Sequence, residues 1–109
     1  MNAKPPEPPP LPRETAGLAG RIRVRQLWRV DKDEPTIVGY WHARDRLIDV
    51  DRGLSRSMKW QLLAHELTHA AISDAGIELP ADLEERICCA IEGTFASALE
   101  AFLRSHQPG

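Results

Sequence analysis

The sequence predicts an α+β domain, because strand-like segments fill its first half and helix-like segments fill its second half. In residues 21–28 one set of alternate positions is mostly apolar and the other mostly arginine, and this period of two is typical of a strand with one buried face. The first set is Ile22, Val24, Gln26 and Trp28, and the second is Arg21, Arg23, Arg25 and Leu27. Residues 36–41 and 46–50 are shorter β-branched and aromatic runs, each bounded by turn residues. We expect the first two strands to form a hairpin and the third to be an edge strand, giving a small antiparallel sheet packed on two helices.

Composition and charge restrict the class of protein. The 109 residues suit one domain, and 42% apolar and 28% charged residues are ordinary globular values. The net charge of −2 argues against a nucleic-acid binder. No apolar run is long enough to cross a membrane, and the start lacks the apolar core of a secretory signal. Cys88 and Cys89 are adjacent and ill placed for a relaxed disulfide, so we expect a reducing, cytoplasmic location.

Proline separates the N-terminus from the rest of the chain. Six of the nine prolines lie within the first twelve residues. Proline removes backbone donors and favours the polyproline II conformation. The sequence therefore predicts a disordered or extended tail over residues 1–19 and a folded domain over residues 20–109. The tail resembles the PxxP type of ligand, so it is a candidate docking element for a protein partner.

Helix start and stop signals bound two helices in the second half. Ser55 or Ser57 is the expected N-cap of the first helix, which continues without a breaker to about residue 75. Gly76 stands where a C′ glycine belongs. Asp82 or a neighbour is the expected cap of the second helix, in which apolar residues recur every three or four positions to about residue 104.

The first of these helices contains the pattern H-E-x-x-H, formed by His65, Glu66 and His69. A helix places side chains four residues apart on one face, so both imidazoles can bind one Zn²⁺. Glu66 is rotated by about 100° from His65, so its carboxylate can reach a zinc-bound water rather than the metal. There it can act as general base. The pattern thus predicts a zinc-dependent peptidase.

Catalytic zinc needs a third protein ligand and keeps a fourth position open. Glu84 and Glu85 lie at the start of the second helix and are the leading candidates. On a helical wheel, Glu84 lies nearer than Glu85 to the centre of the apolar face. If Asp82 is the N-cap, Glu85 could instead complete a capping box. A cysteine thiolate is a further alternative ligand. The remaining donors are His42, His106, Cys88 and Cys89.

The HELTH sequence, followed by a helix with an early glutamate, resembles the gluzincin arrangement of thermolysin. Taking Glu85 as the ligand places Leu83, Ile87 and Ile91 at the apolar positions of the gluzincin pattern, whereas Glu84 breaks that register. A metzincin would need histidine at position 75, which is alanine. Cys89 stands where thermolysin has an aspartate that supports the first histidine. The small size and the strands before the motif are similar to minigluzincins and to ImmA/IrrE-type metallopeptidases.

This resemblance implies a zincin-like minidomain in which His65, His69 and Glu85 bind Zn²⁺ and Glu66 is catalytic. The implied activity is peptide-bond hydrolysis, with a narrow regulatory protein as target. The substrate would lie as an extended strand along the sheet edge, where Tyr40 or His42 could donate a hydrogen bond to the oxyanion. The alternative is a catalytically inert, zinc-containing protein that regulates or binds a partner.

Overall fold

The structure is a computed structural model that describes residues 6–106. These residues form a four-stranded sheet and two helices, which confirms the α+β class. The elements are β1 (Glu14–Ala16), β2 (Arg21–Leu27), β3 (Gly39–His42), β4 (Leu47–Asp51), α1 (Arg56–Asp74) and α2 (Ala81–Ser105). The strand order is β1-β2-β4-β3.

The sheet is mixed, so the predicted all-antiparallel sheet with a β2–β3 hairpin is wrong. The hairpin joins β3 to β4, with Tyr40 opposite Asp49, and β4 then pairs in parallel with β2. The parallel register places Val24 opposite Ile48. The strand predicted to lie at the edge, β4, is therefore central. Its first four residues are all buried. A near-continuous buried run is typical of a strand with neighbours on both sides.

The described elements form three layers, with α1 between the sheet and α2. One face of the sheet packs on α1, whereas α2 contacts α1 alone among these elements. The core contains aliphatic side chains from the sheet and from α1. These are Ile22, Val24, Ile48 and Val50 from the sheet, and Leu63 and Ala70 from α1. Within residues 6–106, neither helix combines the length and the apolar character that a membrane crossing requires. Because α1 lies between the sheet and α2, the face of α1 that points away from the sheet packs against α2.

The ends of α1 follow the sequence signals. Ser55 is the N-cap, and its hydroxyl accepts a hydrogen bond from the Met58 amide at 3.2 Å. Gly76 has φ +69°, in the left-handed region that glycine adopts without strain. The amide of Ile77 donates to the carbonyl of Ile72, which completes a Schellman ending. Both ends of the motif helix are therefore set by local sequence.

The proline-rich segment is ordered where the structure describes it. Pro8 is fully buried, Leu11 is part of the core, and the Trp60 indole donates to the Pro9 carbonyl at 2.7 Å. Strand β1 also lies within the predicted tail and pairs with β2. The prediction of a disordered or extended tail thus differs from the structure over residues 6–19, and residues 1–5 lie outside the described part. Packing against α1 supplies the apolar burial that composition alone did not indicate.

A buried carboxylate stabilises the sheet face that points away from α1. Asp49 is 2% exposed and accepts two hydrogen bonds from the Arg25 guanidinium, at 2.8 and 3.0 Å. His42 Nε2 lies 2.8 Å from the same carboxylate. Burial raises the pKa of Asp49, but the hydrogen bonds with Arg25 and His42 outweigh it and hold the pKa below its ordinary value. This cluster links three neighbouring strands.

We expect D49N to lower the free energy of unfolding by about 1–3 kcal/mol at neutral pH, because it removes charge-assisted hydrogen bonds. Because the pKa of Asp49 is lowered in the folded state, its ionised carboxylate stabilises the fold at pH values above the unfolded-state pKa of about 3.9. This stabilisation is lost as the pH falls through the folded-state pKa. Urea titrations of wild type and D49N should therefore converge on acidification. D45N, in the exposed β3–β4 turn, is the matched control and should change little at any pH.

Candidate metal centre

A cleft of about 870 Å³ lies between β3, α1 and the first turns of α2. The loop before β3 and the strand itself form one wall, and Leu62 and Ser73 lie along α1 on the other side. The polar side chains that line it include His65, Glu66, His69, Glu84, Glu85, Cys89 and Glu92. All three residues of the H-E-x-x-H pattern therefore face one cavity, together with both candidate glutamates.

The two histidines converge on Glu85. Their ring centroids are 5.0 Å apart, as expected for residues one turn apart on a helix. His65 Nε2 lies 2.9 Å from one carboxylate oxygen of Glu85, and His69 Nε2 lies 3.1 Å from the other. Both Nε2 atoms and this carboxylate thus meet in one small region of the cleft. Their role as metal ligands stays a prediction.

Two further carboxylates support the opposite nitrogens of the same rings. Glu92 Oε1 lies 2.9 Å from His65 Nδ1, and Glu84 Oε2 lies 2.6 Å from His69 Nδ1. Metal-binding histidines commonly donate their second N–H to a carboxylate, which fixes the tautomer and the ring orientation. Glu84 therefore takes the supporting position, and Glu85 takes the position between the two Nε2 atoms.

The number of N–H groups on the two imidazole rings indicates whether a cation fits among these contacts. A neutral imidazole has one N–H, yet both nitrogens of each ring face carboxylate oxygens. A metal ion bound by the Nε2 atoms satisfies all these contacts with neutral rings. Without a metal, the same contacts need one additional proton for each ring, either on the imidazole or on a facing carboxylate. Burial lowers the pKa of His69, but hydrogen bonds with Glu84 and Glu85 and the charge of Glu66 raise it above its ordinary value.

Glu66 stands apart from the carboxylates that contact the histidine rings. It is 6% exposed and lines the same cleft. Burial raises the pKa of its carboxyl group, and the negative charges of Glu85 and Glu92 add to this effect. The positive charges that His65 and His69 can carry act in the opposite direction. A carboxylate with a raised pKa beside a ligand cluster has the properties of a general base.

The two cysteines occupy different environments. Cys88 is fully buried, and burial raises the pKa of its thiol to about 12. Cys89 is exposed. Among residues 6–106, two groups of side chains could hold a metal ion, each with its ligand atoms within 4.8 Å of one another. One is His65, His69 and Cys88, and the other is His65, Glu85 and Cys89.

Tyr40 and His42 lie on the same face of β3, with ring centroids 4.8 Å apart. Tyr40 is among the residues that line the cleft, whereas His42 is not and lies 2.8 Å from the Asp49 carboxylate, so it is not an oxyanion donor at this site. Helix α2 begins at Ala81 with Pro80 at the N-cap position, so Asp82 is not the cap. Glu85 thus lies too deep in the helix for a capping box. Glu92 was not predicted, although its spacing of seven residues from Glu85 places both on one helix face.

We expect E92A to weaken zinc binding about 10- to 100-fold, because His65 loses the carboxylate that orients its ring. Competition with a chromogenic zinc chelator measures this change directly. E100A is the matched control, since Glu100 lies on the same helix and pairs only with Arg104 among residues 6–106. Equal zinc affinities for E92A and E100A would show that Glu92 does not support the site.

Comparisons with known proteins supply no further assignment. No protein-family model matches the chain, and searches of curated proteins and of solved structures find no match. The interpretation of the site therefore depends on its own residues and geometry.

Proposed function

We propose that this protein is a zinc-dependent metallopeptidase of the gluzincin type with a zincin-like fold. The observation that carries the proposal is the position of the Glu85 carboxylate, 2.9 and 3.1 Å from the Nε2 atoms of His65 and His69. Two histidines and one carboxylate are a known ligand set for catalytic zinc. The supporting contacts from Glu84 and Glu92 to the Nδ1 atoms fit the same assignment.

In this proposal the residues of the cleft have separate tasks. His65, His69 and Glu85 would hold Zn²⁺, which when bound supplies Lewis acidity toward a water molecule and the substrate carbonyl. The Glu66 carboxylate accepts a proton from the attacking water and returns it to the leaving amine as the peptide bond breaks. Burial beside the ligand cluster keeps Glu66 within reach of that water and away from bulk solvent.

The position of β3 favours an extended peptide as substrate. β3 is an edge strand, since it lies last in the order β1-β2-β4-β3. Gly39, Tyr40 and Trp41 of this strand also line the cleft. A peptide that paired with the free edge of β3 would run past the histidines in an extended conformation. Both cysteines are free thiols, and we propose a reducing compartment such as the cytoplasm as the site of action.

Metal content is the first test of this proposal. The purified chain, loaded with zinc and desalted, should contain one zinc per chain by elemental analysis. The double variant H65A/H69A should contain none, because it lacks both imidazole ligands. Peptidase activity is then measured on a mixed peptide library, with new termini identified by mass spectrometry.

Two outcomes would contradict the proposal. If the wild-type chain retains no zinc, the histidines and glutamates form a metal-free network of ion pairs. If zinc binds but neither the wild-type chain nor C89S produces new peptide termini, the site is inert, and the protein is a zinc-containing regulator. Both results leave the α+β fold unchanged.

A further inference from the structure

Cys89 lies at the open side of the candidate metal centre. It follows Glu85 by one helical turn, and its thiol donates to Glu85 Oε1 with Sγ at 3.7 Å. Its sulfur also belongs to the group with His65 and Glu85 whose ligand atoms lie within 4.8 Å of one another. Unlike the buried Cys88, it is exposed and lines the cleft. Cys89 is therefore the cysteine that shares this space with a substrate.

The number of available donors determines whether a zinc site is open or closed. Structural zinc sites have four protein ligands in a tetrahedral arrangement, and sulfur and imidazole are both common donors. Catalytic sites have three protein ligands and leave the fourth position free. Here His65, His69 and Glu85 would supply three donors, and the sulfur of Cys89 lies within 4.8 Å of the donor atoms of two of them, His65 and Glu85.

We propose that Cys89 is a fourth protein ligand that closes the metal site and keeps the peptidase latent. This inference rests on the proposed metal site. On closure the thiol loses its proton to solvent, and the thiolate sulfur takes the coordination position that catalysis requires to be free. No oxidant is needed, because the sulfur stays at the same oxidation level. On opening, the Cys89 side chain rotates away and its thiolate regains a proton from solvent, which leaves the coordination position free.

The exposure of Cys89 favours such a reversible contact. Its side chain is exposed, whereas that of Cys88 on the same helix is fully buried. A peptide that enters the cleft would come near the sulfur, since Cys89 is among the residues that line the cleft. Substrate binding and thiolate ligation therefore compete for one position.

Cobalt substitution tests this inference without an activity assay. Co²⁺ in place of zinc gives a near-ultraviolet charge-transfer band only when a thiolate binds the metal. We expect the band in the wild-type chain and in C88S, and we expect C89S to lose it while still binding one Co²⁺. C89S should also bind zinc more weakly and, with the fourth position free, cleave the peptide library faster than wild type.

Protection from alkylation gives a second measurement on the unmodified chain. Zinc should slow the reaction of iodoacetamide with Cys89, as read by mass spectrometry, and H65A/H69A should abolish this protection. Bound Co²⁺ without a thiolate band, or a band lost in C88S and kept in C89S, would overturn the role of Cys89 while leaving the peptidase proposal intact. Failure of the wild-type chain to bind Co²⁺ would overturn both.

Discussion

E66Q is expected to lower peptidase turnover about 10²- to 10⁴-fold, the range that general acid–base catalysis supplies. Glutamine keeps the shape of the side chain but cannot accept the proton of the attacking water. The variant should still bind one zinc per chain, because Glu66 is not placed among the ligand atoms. Turnover on a peptide library and zinc content by elemental analysis, measured on the same preparation, separate the two properties.

Stability provides the control for this variant. Burial raises the pKa of Glu66, so its charged form is unfavourable in the fold, and a neutral amide should leave the melting temperature unchanged or higher. E78Q is the matched substitution, since Glu78 is exposed in the segment between the helices. Full turnover in E66Q would exclude Glu66 as the general base, whereas loss of zinc would assign it a role in holding the metal.

The helices could be predicted from the sequence because their signals are local. Ser55 and Gly76 bound α1 by side-chain and backbone preferences that do not depend on the rest of the fold. The strand order could not be predicted in the same way, because β4 is inserted between β2 and β3 by pairing across the chain. The ordered segment around Pro8 likewise depends on a contact with Trp60, fifty-one residues from Pro9.

The candidate site was predictable to the extent that helix geometry determines it. The spacing of His65 and His69 places both on one face, and the gluzincin register selects Glu85 over Glu84. The supporting contacts depend on how α2 lies against α1, which no local pattern specifies. Glu92 reaches His65 only because the two helices pack along this face. Cys89 replaces the aspartate that supports the first histidine in thermolysin, and here the Glu92 carboxylate contacts His65 Nδ1 instead.

The neighbouring glutamates give the sharpest test of the ligand set. E85Q is expected to weaken zinc binding far more than E84Q does, because the Glu85 carboxylate is the only one that faces both Nε2 atoms among residues 6–106. E84Q should retain zinc with an affinity lowered by no more than about 10- to 100-fold, since Glu84 contacts His69 Nδ1 and acts only by orienting the ring. Both variants carry the same substitution in the same helical turn, so helix stability cancels in the comparison.

The opposite ranking of the two variants would assign the third ligand to Glu84 and would require α2 to rotate relative to α1. Equal and small effects would indicate that a cysteine supplies the third donor, and the group of His65, His69 and Cys88 would then be the site. Burial raises the pKa of Cys88 to about 12, so its deprotonation on metal binding would make zinc affinity steeply dependent on pH. A carboxylate ligand carries no such proton near neutral pH. Zinc affinity measured against pH in E85Q therefore distinguishes a carboxylate from a buried thiolate.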